Sequence, residues 1–418
     1  MAKNNINVVS ISFGTQPFRK LKNLTVNFAE RLTLIAGHNG VGKSTILALT
    51  TNNFGWSRKT GLKSYFDNEF YCNIEQMMHI DVSEVDAAQE ARATPPRVAC
   101  SVNNITVIKE CSLTRRSAYQ RARVVPRTEG KKPINADGLI IGPDAKIPLP
   151  TIHLGIKRML PAGEAPEEDV SSKADTAMNE EDSKLIAEFI NAVVLGGNAK
   201  HDGITSQSIK GARKVSKQPG YAHDPRAISL GQDSLGSIAT ALASFNRIKR
   251  EMQDDYPGGL LVIDELDAGF HPHAIGRLAT ALKSKAKKLN IQIIATTHSP
   301  RLIEAVHPDG DGNAHAPDKV VYLHDTAHPR LAPDQSLQAI LSDMNLKPVQ
   351  VRPIEKRQIP IYFEDKEAAQ FFSVLLSSGA RSCIARKHGV KLPLLPLGVG
   401  GSNLVSYPSM ILTSWTRC

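Results

Sequence analysis

The chain has 418 residues, 41% of them hydrophobic, 22% charged and 5% aromatic, with a formal net charge of +10 at pH 7. That length supports two or three domains with a substantial core. No apolar run approaches the roughly 18 residues of a membrane helix, and Met1–Asn7 lacks the apolar centre of a secretory signal. This argues against a membrane-embedded transporter, leaving open a soluble subunit of one, and a cytoplasmic protein is expected. The cysteines, at 72, 100, 111, 383 and 418, are scattered without C-x-x-C spacing, which argues for a reducing compartment and against a zinc site.

From the N-terminus, Ile6 to Phe28 alternates apolar and polar residues around turn signals, the pattern of antiparallel strands. Arg31–Ala36 reads as a short buried strand and Ser44–Leu49 as a helix start. Between them, Gly37-His38-Asn39-Gly40-Val41-Gly42-Lys43-Ser44 fits the phosphate-binding loop G-x-x-x-x-G-K-[ST] at every fixed position. Gly37, Asn39, Gly40, Gly42 and Thr45 would present backbone and side-chain groups to the phosphates of ATP. Lys43 would reach the β- and γ-phosphates, and Ser44 would offer its hydroxyl to Mg²⁺. Residues 74–109, with Ile80–Val82 and Val98–Val102, read as further strands.

A basic run follows: Lys109, Arg115, Arg116, Arg121, Arg123, Arg127, Lys131 and Lys132 against Glu110 and Glu129. Lys210, Arg213, Lys214 and Lys217 make a smaller cluster. Each reads either as a solvated face or as a contact for nucleic-acid phosphates. Tyr119 alone interleaves the first run, so a base-stacking platform is not indicated. Residues 164–182 are acidic and loop-like, and Ser183–Leu195 reads as a helix.

Leu260-Leu261-Val262-Ile263-Asp264-Glu265 is an apolar run ending in two carboxylates, a buried strand delivering them to the ligand end of a parallel sheet. Asp264 would hold Mg²⁺ through water and Glu265 would take a proton from the attacking water. Ile228-Ser229-Leu230-Gly231-Gln232-Asp233-Ser234, Leu266–Pro272 and Ile293–Pro300 complete the set.

Taken in chain order (37–44, 228–234, 260–265, 266–272, 293–300), these segments resemble the ABC-type ATPases, the class that includes transporter ATPases, SMC-type proteins and the overcoming-lysogenization-defect (OLD) nucleases. The resemblance implies an α/β P-loop fold of mixed sheet with flanking helices and an antiparallel β layer. It implies that Ser229, Gly231 and Gln232 form a signature turn, with Leu230 in place of a glycine, that binds the γ-phosphate held by a second subunit. It implies that Leu266–Pro272 is a D-loop crossing a dimer interface, and that His298 orients the attacking water. Gln76 lies at a plausible distance for a Q-loop, without a local signature. The interval from phosphate loop to signature has no sustained heptads, so in place of the long coiled coil of SMC proteins a compact lid or short helical arm is expected, at about 110–225. Thr151–Glu164, with Arg158, resembles a segment of OLD-like ATPases that places an arginine near nucleotide or interface.

Residues 319–323 read as one more strand and 349–356 as a linker. Ile359–Phe372 and Leu395–Ser402 then resemble the opening of a Toprim domain, which would make Glu364 a metal-site carboxylate. Toprim chemistry needs a later Asp-x-Asp, yet no Asp or Glu follows Glu367. The alternative is that 359–418 is simply a divergent C-terminal domain. The expectation is thus an ATPase domain at 1–350 and a partial Toprim-like segment at 351–418, as in a truncated or frame-shifted OLD-like protein. Three functions compete: an OLD-like or Septu-like defence ATPase acting as an ATP-gated dimer with a separate nuclease partner, a chromosome-maintenance ATPase, or a non-catalytic ATP-gated interaction protein.

Overall fold

Leu32–Gly37, Gly259–Ile263 and Ile291–Thr297 are buried at every position, which requires a layer on each side of the sheet they form. The computed structural model describes residues 5–56, 61–91, 93–116, 121–160, 165–210, 214–221, 228–312, 317–346, 357–388 and 390–400. Contacts divide the chain into two units, Met1–Pro348 and Val349–Cys418.

In the first unit a six-stranded sheet runs Arg330–Leu331, Asp318–His324, Leu32–Gly37, Ile291–Thr297, Gly259–Ile263, Thr151–Leu154. All neighbours are parallel except the Arg330–Leu331 edge. The period of two along each strand sorts its side chains into two cores. Leu32, Leu34, Leu261, Ile263, Ile293 and Ala295 pack with the helices Glu180–Val193, Leu230–Met252 and Pro272–Leu289. Ile35, Leu260, Val262 and Ile294 pack with the helix Lys43–Asn52 and a five-stranded antiparallel layer. That layer runs Leu24–Asn27, Ile6–Phe13, Arg97–Val102, Ile105–Arg116, Arg121–Arg127. Gln292 stitches the two sheets together: its side chain accepts from Val8 N at 2.8 Å and donates to the carbonyls of Val8 at 2.8 Å and Ala29 at 2.7 Å. A buried amide so fully paired fixes register as well as contact.

Three expectations change. Ile80–Val82 is not a strand, because Asp81 caps the helix Val82–Glu90, accepting from Ser83 N while Glu84 reaches back in a capping box. The helix expected at 183–195 begins earlier, at Glu180, where Asn179 caps it and Glu180, Glu181 and Asp182 occupy the first turn. The interval 110–225 is not one lid. Its first strands belong to the antiparallel layer, Thr151–Leu154 is an edge of the central sheet, and a separate sheet is formed by Val170–Ala174, Lys200–Ile209 and Lys214–Gly220.

In the second unit, Ile361–Phe363 pairs parallel with Leu394–Pro396, and the helices Lys366–Leu375 and Ser378–His388 lie between them in the chain. Glu364 follows the end of the first strand and is exposed. Residues 401–418 lie outside the described residues.

Candidate nucleotide site

The carboxyl ends of the central strands deliver Gly37, Asp264 and His298 to one edge of the sheet. Ligands bind at that edge in open α/β sheets. Gly42 stands at φ +89, and a Cβ there would lie 2.9 Å from the Leu21 side chain. The loop can therefore turn into the helix Lys43–Asn52 only with glycine at this position. Asn39, Gly40 and Ser44 are exposed and Thr45 half-buried, whereas Lys43 is buried. The Lys43 ammonium donates to the carbonyls of Gly37 and His38, each at 2.9 Å. The His38 side chain instead bonds Asp343 at 2.8 Å, and Asp343 also accepts from the Tyr322 hydroxyl at 2.7 Å.

Ser44 Oγ donates to Asp264 Oδ1 at 3.3 Å, and Thr296 Oγ1 donates to the same oxygen at 2.6 Å. Glu265 N donates to Thr296 Oγ1 at 2.7 Å. Thr296 thus holds both acidic residues, a role that a threonine inside an apolar strand does not announce in the sequence. Glu265 itself stands at φ +53, a left-handed conformation that an L residue keeps only when its surroundings enforce it. Asp267 accepts from Thr297 Oγ1 at 2.5 Å and from His298 N at 3.2 Å. Burial and the nearby Lys43 charge both lower the His298 pKa, so its imidazole is neutral at pH 7. The Ser44 hydroxyl and Asp264 carboxylate, drawn together from two elements, are the hard oxygen donors that suit Mg²⁺.

Across the same unit, Ser229 caps the helix Leu230–Met252: Gln232 N donates to Ser229 Oγ at 3.3 Å and Ser229 N to Gln232 Oε1 at 2.9 Å. Ser229 is exposed. Gly231 lies against Gly269, so close that a Cβ would meet its carbonyl oxygen at 2.7 Å. The signature-like turn and the loop after Glu265 therefore form one surface.

Gln76 is exposed and its side-chain oxygen accepts from Asn73 N at 2.9 Å, capping its own turn. It lines a cavity of about 710 Å³ that also touches His153, Arg158, Lys214 and Asp264. His153 is pushed down to about 4 by burial.

The basic segments are partly used internally. Lys109 is fully buried and donates to Gly142 O at 2.8 Å. Arg115 pairs with Asp86 and Arg127 with Asp144. Lys214 and Lys217 are buried on Asp233 and Asp175. Arg123, Lys131, Lys132 and Lys210 are exposed. Tyr119, Arg213 and the Arg116 and Arg121 side chains lie outside the described residues. Among the described residues no group of three or more His, Cys, Asp or Glu is placed to hold a metal, Glu364 included. Among them, too, no helix is long and apolar enough to cross a membrane.

Burial pushes the Lys43 ammonium down to about 8 despite the opposing pull of Asp264, Glu265 and Asp267. An arriving phosphate favours the charged form. ATP affinity should therefore hold steady just below about pH 8 and weaken up to about tenfold per unit above it, as binding becomes coupled to proton uptake. Nucleotide titrations from about pH 7.5 to about pH 9.5 test this, with Lys43→Arg as the variant that should give a flat profile.

Two family models match the chain: "AAA domain, putative AbiEii toxin, Type IV TA system" over residues 117–304, and "AAA domain" over residues 15–139. No curated protein matches it in sequence. Similar solved structures include the SMC head domain from Thermotoga maritima, 17% identical, covering 79% of this chain and 100% of that one at a TM-score of 0.37. Another is an Smc head domain with an extended coiled coil from Pyrococcus furiosus, bound there to the C-terminal domain of ScpA; it is 13% identical, covering 82% and 99% at a TM-score of 0.40. The fold is that of a P-loop ATPase, an α/β architecture with a mixed sheet.

Proposed function

We propose that this P-loop ATPase domain, matched by AAA-type family models, binds ATP with Mg²⁺ and hydrolyses it as an ATP-gated homodimer acting on nucleic acid, in an OLD-like or Septu-like anti-phage defence or DNA-processing system. The observation that carries the dimer is the exposed Ser229 turn packed against Gly269. It is a helix N-terminus with a hydroxyl, suited to a γ-phosphate, on the same surface as the loop following the catalytic carboxylates.

In this reading Gly37–Thr45 cradles the triphosphate and Lys43 neutralises its β- and γ-oxygens. Ser44 and Asp264 would hold Mg²⁺, which when bound neutralises charge on the phosphates. Glu265, its backbone fixed by Thr296, accepts a proton from the attacking water. Neutral His298 donates or accepts one hydrogen bond to the γ-phosphate or that water. Ser229, Gly231 and Gln232 of the second subunit close the site and exclude bulk water. Catalysis by such an assembly comes chiefly from positioning and preorganised charge.

The defence reading draws on the match to a model described as an AbiEii toxin of a Type IV TA system. The nucleic-acid reading draws on the +10 charge and on exposed Arg123, Lys131 and Lys132. Cleavage would come from a partner, since among the described residues no group of three or more His, Cys, Asp or Glu, at Glu364 or elsewhere, is placed to hold a metal. The test is plasmid DNA incubated with the purified chain and Mg²⁺ or Mn²⁺, with and without ATP, beside Glu364→Ala. ATP turnover without cleavage is expected. Cleavage that disappears in Glu364→Ala would overturn the need for a partner.

A further inference from the structure

Arg158 is 4% exposed and lies just beyond the strand Thr151–Leu154, whose last residue accepts from Asp264 N at 2.9 Å. Its guanidinium donates in four directions. Nε reaches Ser234 Oγ at 3.1 Å, Nη1 reaches the carbonyls of Gly155 at 3.1 Å and Asp264 at 2.7 Å, and Nη2 reaches the carbonyl of Glu265 at 2.5 Å. Burying a guanidinium is costly unless its donors are paired, and here they are spent on the backbone of two acidic residues and on one helix. That helix is Leu230–Met252, which begins at the Ser229 turn. One residue before Ser234, Asp233 accepts from Lys214, Ser216 and Gln218 of the separate three-stranded sheet. A continuous chain of contacts thus runs from that three-stranded sheet to the signature-turn helix to Arg158 to Glu265.

We propose that Arg158 is a positioning residue that locks the Glu265 backbone in its left-handed conformation and joins it to the signature-turn helix, so that the carboxylate is aligned only when that helix is in place. The proposal rests on the ATPase reading above. A planar fork suits the task, because one group must reach two successive carbonyls and a hydroxyl at once. An ammonium is a single point of charge and cannot replace it. Arg158 remains protonated at neutral pH: burial lowers it to about 10, with Asp264, Glu265 and Asp267 opposing.

The experiment compares full-length wild type, Arg158→Lys, Arg158→Met and Ser234→Ala for nucleotide affinity, KM and kcat. Affinity and KM should stay within about twofold while kcat falls by more than about tenfold in both Arg158 variants, the scale on which misplaced catalytic groups cost rate. Ser234→Ala should lose several-fold in kcat, and Lys should fail to rescue. Wild-type turnover in Arg158→Lys, or a parallel loss of affinity and rate, would overturn the positioning role. Should Arg158→Met not fold, Arg158→Lys and Ser234→Ala decide the matter. A wild type without turnover would instead defeat the ATPase reading itself.

Discussion

Glu265→Gln should bind ATP with near wild-type affinity and lose on the order of a hundred- to ten-thousandfold in turnover, the range that a positioned general base contributes. The amide keeps the shape of the carboxylate and the backbone hydrogen bonds to Thr296 and Arg158 do not involve the side chain, so the left-handed turn at Glu265 survives the change. What is lost is the capacity to take a proton from water. In the proposed dimer, nucleotide that is bound but not consumed would hold the Ser229 turn of a second subunit in place, so the variant should accumulate as an ATP-bound dimer. Single-turnover and steady-state phosphate release would measure the effect, and undiminished turnover would remove Glu265 from the role of base.

Lys43→Ala should abolish measurable ATP binding at micromolar nucleotide while leaving the fold intact. Each charge-assisted hydrogen bond to a phosphate oxygen is worth about 1.5–3 kcal/mol, so losing the ammonium should weaken affinity by on the order of a hundredfold or more. The folded protein loses little, because Lys43 is a buried, poorly hydrated cation whose two partners are loop carbonyls. A melting temperature near that of wild type, without the rise on adding ATP and Mg²⁺ that wild type should show, would distinguish loss of binding from loss of structure. Retained affinity would mean that the loop grips nucleotide through its backbone alone.

How far the sequence discloses this site depends on whether the determining contacts are local. The phosphate loop is legible because Gly42, Lys43 and the strand and helix around them act within a few residues, and the apolar run before Asp264 announces a strand buried on both faces. Thr296 was not legible as a partner of Asp264 and Glu265, since a threonine inside an apolar strand reads as a β-branched core residue. Its role arises from the register that sets Ala295 beside Ile263. Asp343 was equally hidden, reaching His38 from a helix about three hundred positions away. The basic run was misleading for a related reason. Charge counted along the chain says nothing of burial, and Lys109, Lys214 and Lys217 turn inward to satisfy carbonyls and carboxylates. Ile80–Val82 failed locally, where the apolar pair suggested a strand and the Asp81 cap with Glu84 decided for a helix.

The account stands most directly on the mass of the Glu265→Gln protein in solution, measured by light scattering with Mg²⁺ and no nucleotide, ADP or ATP. A doubling of mass with ATP alone, abolished when Ser229→Arg is added to the same chain, is the predicted result. A protein that remains monomeric with ATP bound would contradict the shared site.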